Sequence, residues 1–360
     1  MIIERTSVGL DVHARSVVGA AIDGDTGEVS RGRMCMDNGE ILAWIQGLPS
    51  PVRAVYEAGP TGFGLYRFLT ANGVECVVAA PSKLLRPNGD RVKTDARDAL
   101  HLARLLRLGD LSAVTVPSVG QEKVRDLVRA RDDARSDLMR ARHRLSKLLL
   151  RHGLVYPDGK AWTTRHDAWL GRQTFDDLAL RTTFDASHEA VLTTAARRDR
   201  LDEVIKVIAA DSEYTPMVAR LGCLRGVSTL TGLGLAVEVG DWSRFTGATI
   251  ASFVGLVPSE HSSGASRSQG PITKTGNAHA RRLLVEAAWH HRKPYRVPGK
   301  AMRARWEQAP PAAAARGNEG NRRLHQRWGV FDDHKKRPVI ANVAIARELA
   351  GWCWSLAVLQ

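Results

Sequence analysis

The 360-residue sequence predicts a mixed α/β N-terminal domain, then an α-helical coiled-coil region, then a small mainly α-helical C-terminal domain with a helix-hairpin-helix-like element. Three observations carry this expectation. Residues 5–36 alternate apolar runs with turn residues, as a strand meander does. Residues 38–109 alternate helical with strand patterns, which places helices on a partly parallel sheet. From Val124 onward the apolar residues fall at 3-4 spacing, the mark of a long helix with a buried seam.

Taken in order, RTSVGLDVHARSVVGAAIDGDTGEVSRGRMCM reads as two or three antiparallel strands with GDTG as a turn. NGEILAWIQGL has helical spacing, VRAVYEAG is a short strand, GFGLYRFLTANG is a helix closed by Gly73, and VECVVAAP is a further strand. A three-strand meander followed by helix and strand in alternation is a mixed sheet of ribonuclease H type. TDARDALHLARLLRLG forms a helix with Thr94 as N-cap and Gly109 past its end.

Val124, Leu127, Arg131, Ala134, Leu138, Ala141, Leu145 and Leu148 then make one stripe, a heptad seam interrupted by a single Arg. Its partner is either the later segment HEAVLTTAARRDRLDEVIKVIAAD or a second subunit. YPDGKAWTTRHDAWLGRQTF, between them, reads as irregular or as a short helical tip. LRGVSTLTGLGLAVEVGD reads as two short helices around a Gly turn, TIASFVGL as a helix, and NAHARRLLVEAAWHH as another. RKPYRVPGKAMRARWEQAPPAAAARGNEGNRRLHQRWG is basic and rich in Pro, Ala and Gly, with weak periodicity, and PVIANVAIARELAGWCWSLAV is a last apolar helix. The expected domains are residues 1–114, 115–216, 217–292 and 293–360.

Fifty-two Lys and Arg against 38 Asp and Glu give a formal charge of +14, so the surface holds a positive potential at neutral pH. Nucleic acid is the partner such a surface favours, because each neutralised phosphate releases counterions. With no apolar run of 18 residues and no signal-peptide pattern at the start, a cytoplasmic protein without membrane segments is expected. Cys35, Cys76, Cys223 and Cys353 lie far apart without a C-x-x-C pair, which argues for reduced, mostly buried thiols.

Four carboxylates stand at suggestive places. Asp11 lies in the strand SVGLDVHA, where a charge is costly to bury unless paired or bound to a cation. Glu57 ends the strand VRAVYE, and Asp95 and Asp98 occupy one face of the first turn of a helix. On a ribonuclease H-like sheet these positions converge on one edge, and four acids gathered there imply one or two Mg²⁺ ions on a phosphodiester. Taken singly, Asp95 and Asp98 also suit a helix N-terminus on dipole grounds alone.

The stretch EHSSGASRSQGPITKTGNAHARRLLVEAAW places Ser262, Ser263 and Gly264 upstream of Lys274, Arg281 and Arg282. A Ser hydroxyl there is either a turn former or a nucleophile whose phosphoryl partner the nearby cations stabilise. Trp162, Trp169, Trp306 and Trp328 lie among basic residues and serve either as base-stacking platforms or as buried anchors.

With these pieces in place, the chain resembles the DEDD-type insertion-sequence transposases, the bridge-RNA-guided serine recombinases of the IS one-ten group. GLDVHARSVV, AVYEAGPTGFGLYRFL and VKTDARDALHLARLL look like that family's RuvC-like domain. LRGVSTLTGLGLAVEVGDWSRF and ASFVGLVPSEHSSGASRSQGPITKTGNAHARRLLVEAAW look like its C-terminal transposase domain. The resemblance implies that Asp11, Glu57, Asp95 and Asp98 bind the metal and that Ser263 is the nucleophile, with Ser262 as the second choice. It implies a covalent phosphoserine, donor and target DNA as substrates, a structured bridge RNA as guide, and a homodimer or tetramer in which the serine reaches the metal site in trans. The segment from Arg292 to Pro338 matches no motif of that family. On the residues alone, a RuvC-like Mg²⁺-dependent nuclease without a serine nucleophile, an actin-like or sugar-kinase ATPase and a non-enzymatic helix-hairpin-helix scaffold stay open.

Overall fold

The computed structural model of the chain describes residues 5–81, 84, 94–260 and 268–359. It forms two compact units, Met1–Pro117 and Ser118–Gln360.

The first unit is a five-stranded sheet of order β3-β2-β1-β4-β5. Its strands are β1 (Thr6–Val12), β2 (Ser16–Ile22), β3 (Val29–Cys35), β4 (Val52–Glu57) and β5 (Glu75–Ala79). The meander β1–β2–β3 is antiparallel, whereas β4 runs parallel to β1 and β5 parallel to β4. Because side chains alternate along a strand, each sheet face recruits its own cover. Val8, Leu10, Ala54, Tyr56, Cys76 and Val78 pack with α1 (Asn38–Gln46) and α2 (Gly64–Ala71) on one face. Val55 and Ala79 pack with Leu102 and Leu106 of α3 (Asp95–Leu108) on the other.

Two glycine contacts set these covers. Gly19 and Gly32 are cross-strand partners, and a β-carbon on either would stand within 2.6 Å of the Trp44 indole, so their absence seats α1. Gly9 does the same for α3, where a β-carbon would lie 2.0 Å from the Ala99 carbonyl oxygen. The caps follow the sequence. The Thr94 hydroxyl accepts from the Arg97 N–H at the start of α3, and Gly109 ends it in the left-handed region at φ 69°.

In the second unit, α4 (Val119–Arg151) and α6 (Leu178–Ala210), of 33 residues each, lie antiparallel. The seam partner is therefore a later segment of the same chain. Ala134, Leu138, Ala141, Leu145 and Leu148 are buried as the spacing predicts, and the interrupting Arg131 donates to both oxygens of Asp202 on α6, at 2.6 and 3.2 Å. The tip carries α5 (Thr164–Leu170) and an aromatic cluster in which Trp162 and Trp169 flank buried His166.

The remaining helices share one large core that includes Trp328, Leu324 and Ile345. They are α7 (Thr215–Leu221), α8 (Thr229–Val239), α9 (Thr249–Phe253), α10 (Ala278–Ala288), α11 (Lys300–Trp306), α12 (Pro311–Asp333) and α13 (Pro338–Ala357). The stretch LRGVSTLTGLGLAVEVGD holds one helix, α8, and not two; its upstream neighbour is α7, and Gly226 at φ 79° makes the turn between them. The Pro/Ala/Gly-rich segment departs more from expectation, because α12 runs through it for 23 residues. Two of its glycines are contacts: a β-carbon on Gly317 would stand 2.5 Å from the Cys223 side chain, and one on Gly320 would stand 2.9 Å from the Trp352 indole. Trp328 is fully buried and serves as an anchor, and Cys76, Cys223 and Cys353 are buried free thiols.

Candidate active site

The sheet order places the C-terminal ends of β1 and β4 side by side, with Leu10 opposite Tyr56. One residue further along each strand come Asp11 and Glu57, on the face that α3 covers. Since Gly9 lets α3 lie directly on β1, the helix delivers its first turn, with Asp95 and Asp98, to the same end of the strand. The local rule behind the site is a missing side chain two residues before the strand carboxylate.

The described atoms bring Asp11, His13 and Asp95 together, with one ligand atom from each inside a 4.8 Å group. His13 Nε2 lies 3.3 Å from Asp11 Oδ2 and 3.7 Å from Asp95 Oδ1. Glu57 and Asp98 are not in that group, but Asp98 acts on Asp11 through its charge. Burial raises the Asp11 carboxyl above its ordinary range, His13 lowers it, and the neighbouring Asp95 and Asp98 raise it further. A carboxylate raised first by burial, with two further acids beside it, is an arrangement that a divalent cation relieves. Residue-level reading missed His13. The signal was its position two residues after Asp11, which puts both on one side of an extended chain.

Ser262, Ser263 and Gly264 lie outside the described residues. Strands β6 (Pro258–Glu260) and β7 (Gln269–Ile272) pair antiparallel, and the Thr273 N–H donates to the Val257 carbonyl at 2.9 Å. Two left-handed glycines close the base. A β-carbon on Gly255 would stand 2.2 Å from the Thr275 carbonyl oxygen, and one on Gly276 would stand 2.0 Å from that of Phe253. Asn277 follows at once as the N-cap of α10, accepting from the Ala280 N–H at 2.9 Å.

Asn277 also donates to Glu238 at 2.7 Å, and this opens a network that the sequence did not reveal. Glu238 sits at the end of α8 with its side chain fully buried. Arg129 of α4 donates to both its oxygens at 2.8 and 2.9 Å, and His279 Nδ1 lies 3.0 Å from Oε1. Burial alone raises this carboxyl, but hydrogen bonds from His279, Arg129 and Asn277 with the Arg129 charge outweigh it and hold it far below the usual range. The only hint in the sequence was an acid inside the apolar run GLAVEV.

The three cations beyond the loop differ. Lys274 is exposed, with a left-handed backbone at φ 55°. Arg281 donates to the carbonyls of Val254 and Thr275, both at 2.9 Å, which ties α10 to the base of the loop. Arg282 pairs with Asp132 at 2.6 Å and with Glu286 at 3.0 Å.

Comparison with known proteins bears on both halves of the chain. A transposase family model of the DEDD, IS110 type matches residues 8–153, and a model for the Transposase IS116/IS110/IS902 family matches residues 218–305. The chain is 37% identical over 362 residues to the transposase-named protein y4qE of Sinorhizobium fredii, spanning 97% of this chain and 88% of that one. It is 32% identical over 338 residues to the transposase for insertion sequence element IS1533 of Leptospira borgpetersenii, spanning 92% and 97%. A more distant relative is the transposase for insertion sequence element IS1111A of Coxiella burnetii, at 25% over 237 residues, or 62% of this chain and 61% of that one. Among the described residues no helix is long and apolar enough to cross a membrane. Two family models in chain order and relatives aligned nearly end to end show that the chain belongs to the IS110 family of insertion-sequence transposases.

Proposed function

We propose that this transposase cuts and rejoins donor and target DNA with a Mg²⁺-dependent carboxylate site and a serine nucleophile, Ser263. The observation that carries the reading is the meeting of Asp11, His13 and Asp95 at the end of β1. Support for a RuvC-like, ribonuclease H-like domain comes from the strand order β3-β2-β1-β4-β5 with only the meander antiparallel.

The donor set fits a hard, oxygen-seeking cation: two carboxylates within one 4.8 Å group, a third acid one residue past the β1–β4 register pair, and a fourth on the first turn of α3. Asp11, Glu57, Asp95 and Asp98 would hold the ion, and His13, a nitrogen donor, would orient Asp11. When bound, Mg²⁺ supplies positive charge against the phosphodiester oxygens. The protein's own part is then a transfer of one ester for another. The Ser263 oxygen bonds to phosphorus as the P–O3′ bond breaks; the hydroxyl proton is given up and the departing 3′ oxygen takes one. A 3′-OH attacking the phosphoserine reverses these bonds, so the diester is conserved and no ATP is consumed. The resemblance to serine recombinases supports Ser263 over Ser262, a structured bridge RNA as guide, and a dimer or tetramer in which the serine comes from another subunit.

The test is a covalent protein–DNA product. Incubation with Mg²⁺ and labelled element-end DNA is expected to give a species that survives denaturation, vanishes in Ser263→Ala and in Asp11→Asn, and is not formed in EDTA. Free cleaved ends with no adduct, and full activity in Ser263→Ala, would instead establish a nuclease that activates water.

A further inference from the structure

Helix α12, from the segment that matched no family motif, lines a groove together with α13. Helices α12 and α13, with Gly247, Ala248 and Ala251 at the start of α9, line a cleft of about 530 Å³ whose wall includes Arg316, Arg327, Arg347, Phe331 and Trp352. It is continued by a second cleft of about 550 Å³, lined by Arg322 and Arg323 and again by Trp352 and Glu348. Five arginines thus line the two adjoining clefts, against Glu319 and Glu348.

These guanidiniums are anchored. Arg316 lies over Trp352, 4.3 Å from the ring centroid, and donates to Ser355 at 3.2 Å. Trp352 is fixed from its other neighbour, since a β-carbon on Gly320 would stand 2.9 Å from the indole. Arg327 lies 4.9 Å from the Phe331 centroid, and Lys336 lies 4.7 Å from the same ring. A planar cation held on an aromatic face has already lost part of the side-chain entropy that anion binding would cost, and a phosphate competes there with Glu319 for Arg316 and with Glu348 for Arg323 and Arg327. Arg322 and Arg347 are exposed and have no acidic partner within ion-pair distance among the described residues.

Length decides the ligand class. Arg316, Arg323 and Arg327 fall at i, i+7 and i+11 on one side of α12, a span of about 16 Å at 1.5 Å per residue. That exceeds a single phosphate and corresponds to about five nucleotides at a rise of about 3.4 Å each. We propose that the α12–α13 groove is a binding site for the phosphodiester backbone of a nucleic acid, made of residues other than the carboxylate cluster and independent of which residue is the nucleophile. Glu348, which ties down Arg323 at 3.1 Å, moderates the site's charge.

The full-length protein provides the test, by fluorescence anisotropy against a DNA duplex and against a structured RNA hairpin across a salt series. Arg322→Gln with Arg347→Gln removes two exposed cations from the groove. Arg181→Gln with Arg200→Gln removes two exposed cations from α6 and is the control for charge alone. The groove double variant is expected to keep its melting temperature and bind at least one probe about tenfold more weakly at 0.15 M salt. Its log–log salt slope falls by about 1.8 for duplex DNA or about 1.4 for single strands. Glu348→Gln is expected to strengthen binding of the same probe. Loss with DNA alone assigns the groove to DNA, loss with RNA alone to RNA, and loss with both to the shared backbone. Unchanged binding of both probes by the folded variant, or a loss no larger than in the α6 control, overturns the proposal.

Discussion

A β-carbon at Gly9 would stand 2.0 Å from the carbonyl oxygen of Ala99, so the backbone of β1 and the backbone of α3 meet without any side chain between them. That contact sets the height of α3 above the sheet and hence the distance from Asp95 to Asp11. Gly9→Ala must push the helix away. The expected cost is about 1–3 kcal/mol of stability, the usual range for overpacking, with transposition lost well beyond what the remaining folded fraction explains. Urea denaturation beside a transposition assay separates the two effects. Wild-type recombination in Gly9→Ala would show that α3 does not carry the site.

Asp11 supports a second prediction. Its carboxyl is raised by burial and by Asp95 and Asp98. A raised carboxyl opposes folding above its folded value, and the penalty fades as pH falls toward the unfolded value near 3.9. Asp11→Asn removes that penalty, so in EDTA at pH 7 the variant is expected to melt higher than the wild type while being inactive. Differential scanning calorimetry with and without Mg²⁺ reads the melting, and the covalent-adduct assay reads the activity. The wild type gains stability with added Mg²⁺ and the variant gains less. A variant that melts lower in EDTA would mean that favourable bonds such as that to His13 outweigh the cost of burying Asp11 beside Asp95 and Asp98.

Glu238 behaves in the opposite sense. Its carboxyl is depressed by the hydrogen bonds of His279, Arg129 and Asn277 against the effect of burial. Its contribution is fully present above the unfolded value near 4.3 and is lost as pH falls below it toward the folded value. Glu238→Ala removes the acceptor of Asn277, His279 and Arg129, but Arg129 is itself half exposed and can hydrate, so the expected loss is below the about 3–5 kcal/mol typical of breaking a fully buried pair. Stability measured from pH 6 down to pH 3 is expected to fall more steeply in the wild type than in Glu238→Gln. Parallel curves would remove Glu238 from the account.

Arg131 and Asp202 allow a cleaner test of the helical pair. Either residue alone, changed to Leu, leaves a half-buried charge in the seam and is expected to destabilise. The double change Arg131→Leu with Asp202→Leu completes the apolar stripe and is expected to be at least as stable as the wild type. A double-mutant cycle by chemical denaturation measures it, and an additive loss would show that the ion pair is not a substitute for apolar contact there.

What could be read from the sequence was local. The strands around Asp11, the Thr94 cap, the Gly109 stop and the seam from Ala134 to Leu148 each depend on spacing within one element, and each stands where the spacing put it. Helix α12 was hidden because its glycines resemble breakers, whereas Gly317 and Gly320 are contacts with Cys223 and Trp352, residues far away in sequence. The partners of Glu238 come from α4 and α10, more than 30 residues away on either side, so no window of sequence could have assembled them. His13 was closer to hand, but a lone histidine after a strand carries no meaning until Asp95 folds back beside it.

The antiparallel pair α4 and α6 runs about 50 Å out and back at 1.5 Å per residue. The chain therefore departs and returns at nearly one place, where Val128, Ile205 and Val237 share a small core. A matched deletion of one heptad from each arm would shorten this hairpin without displacing anything at its root. Relatives are thus free to differ in the reach of this boom while keeping the body of the second unit unaltered.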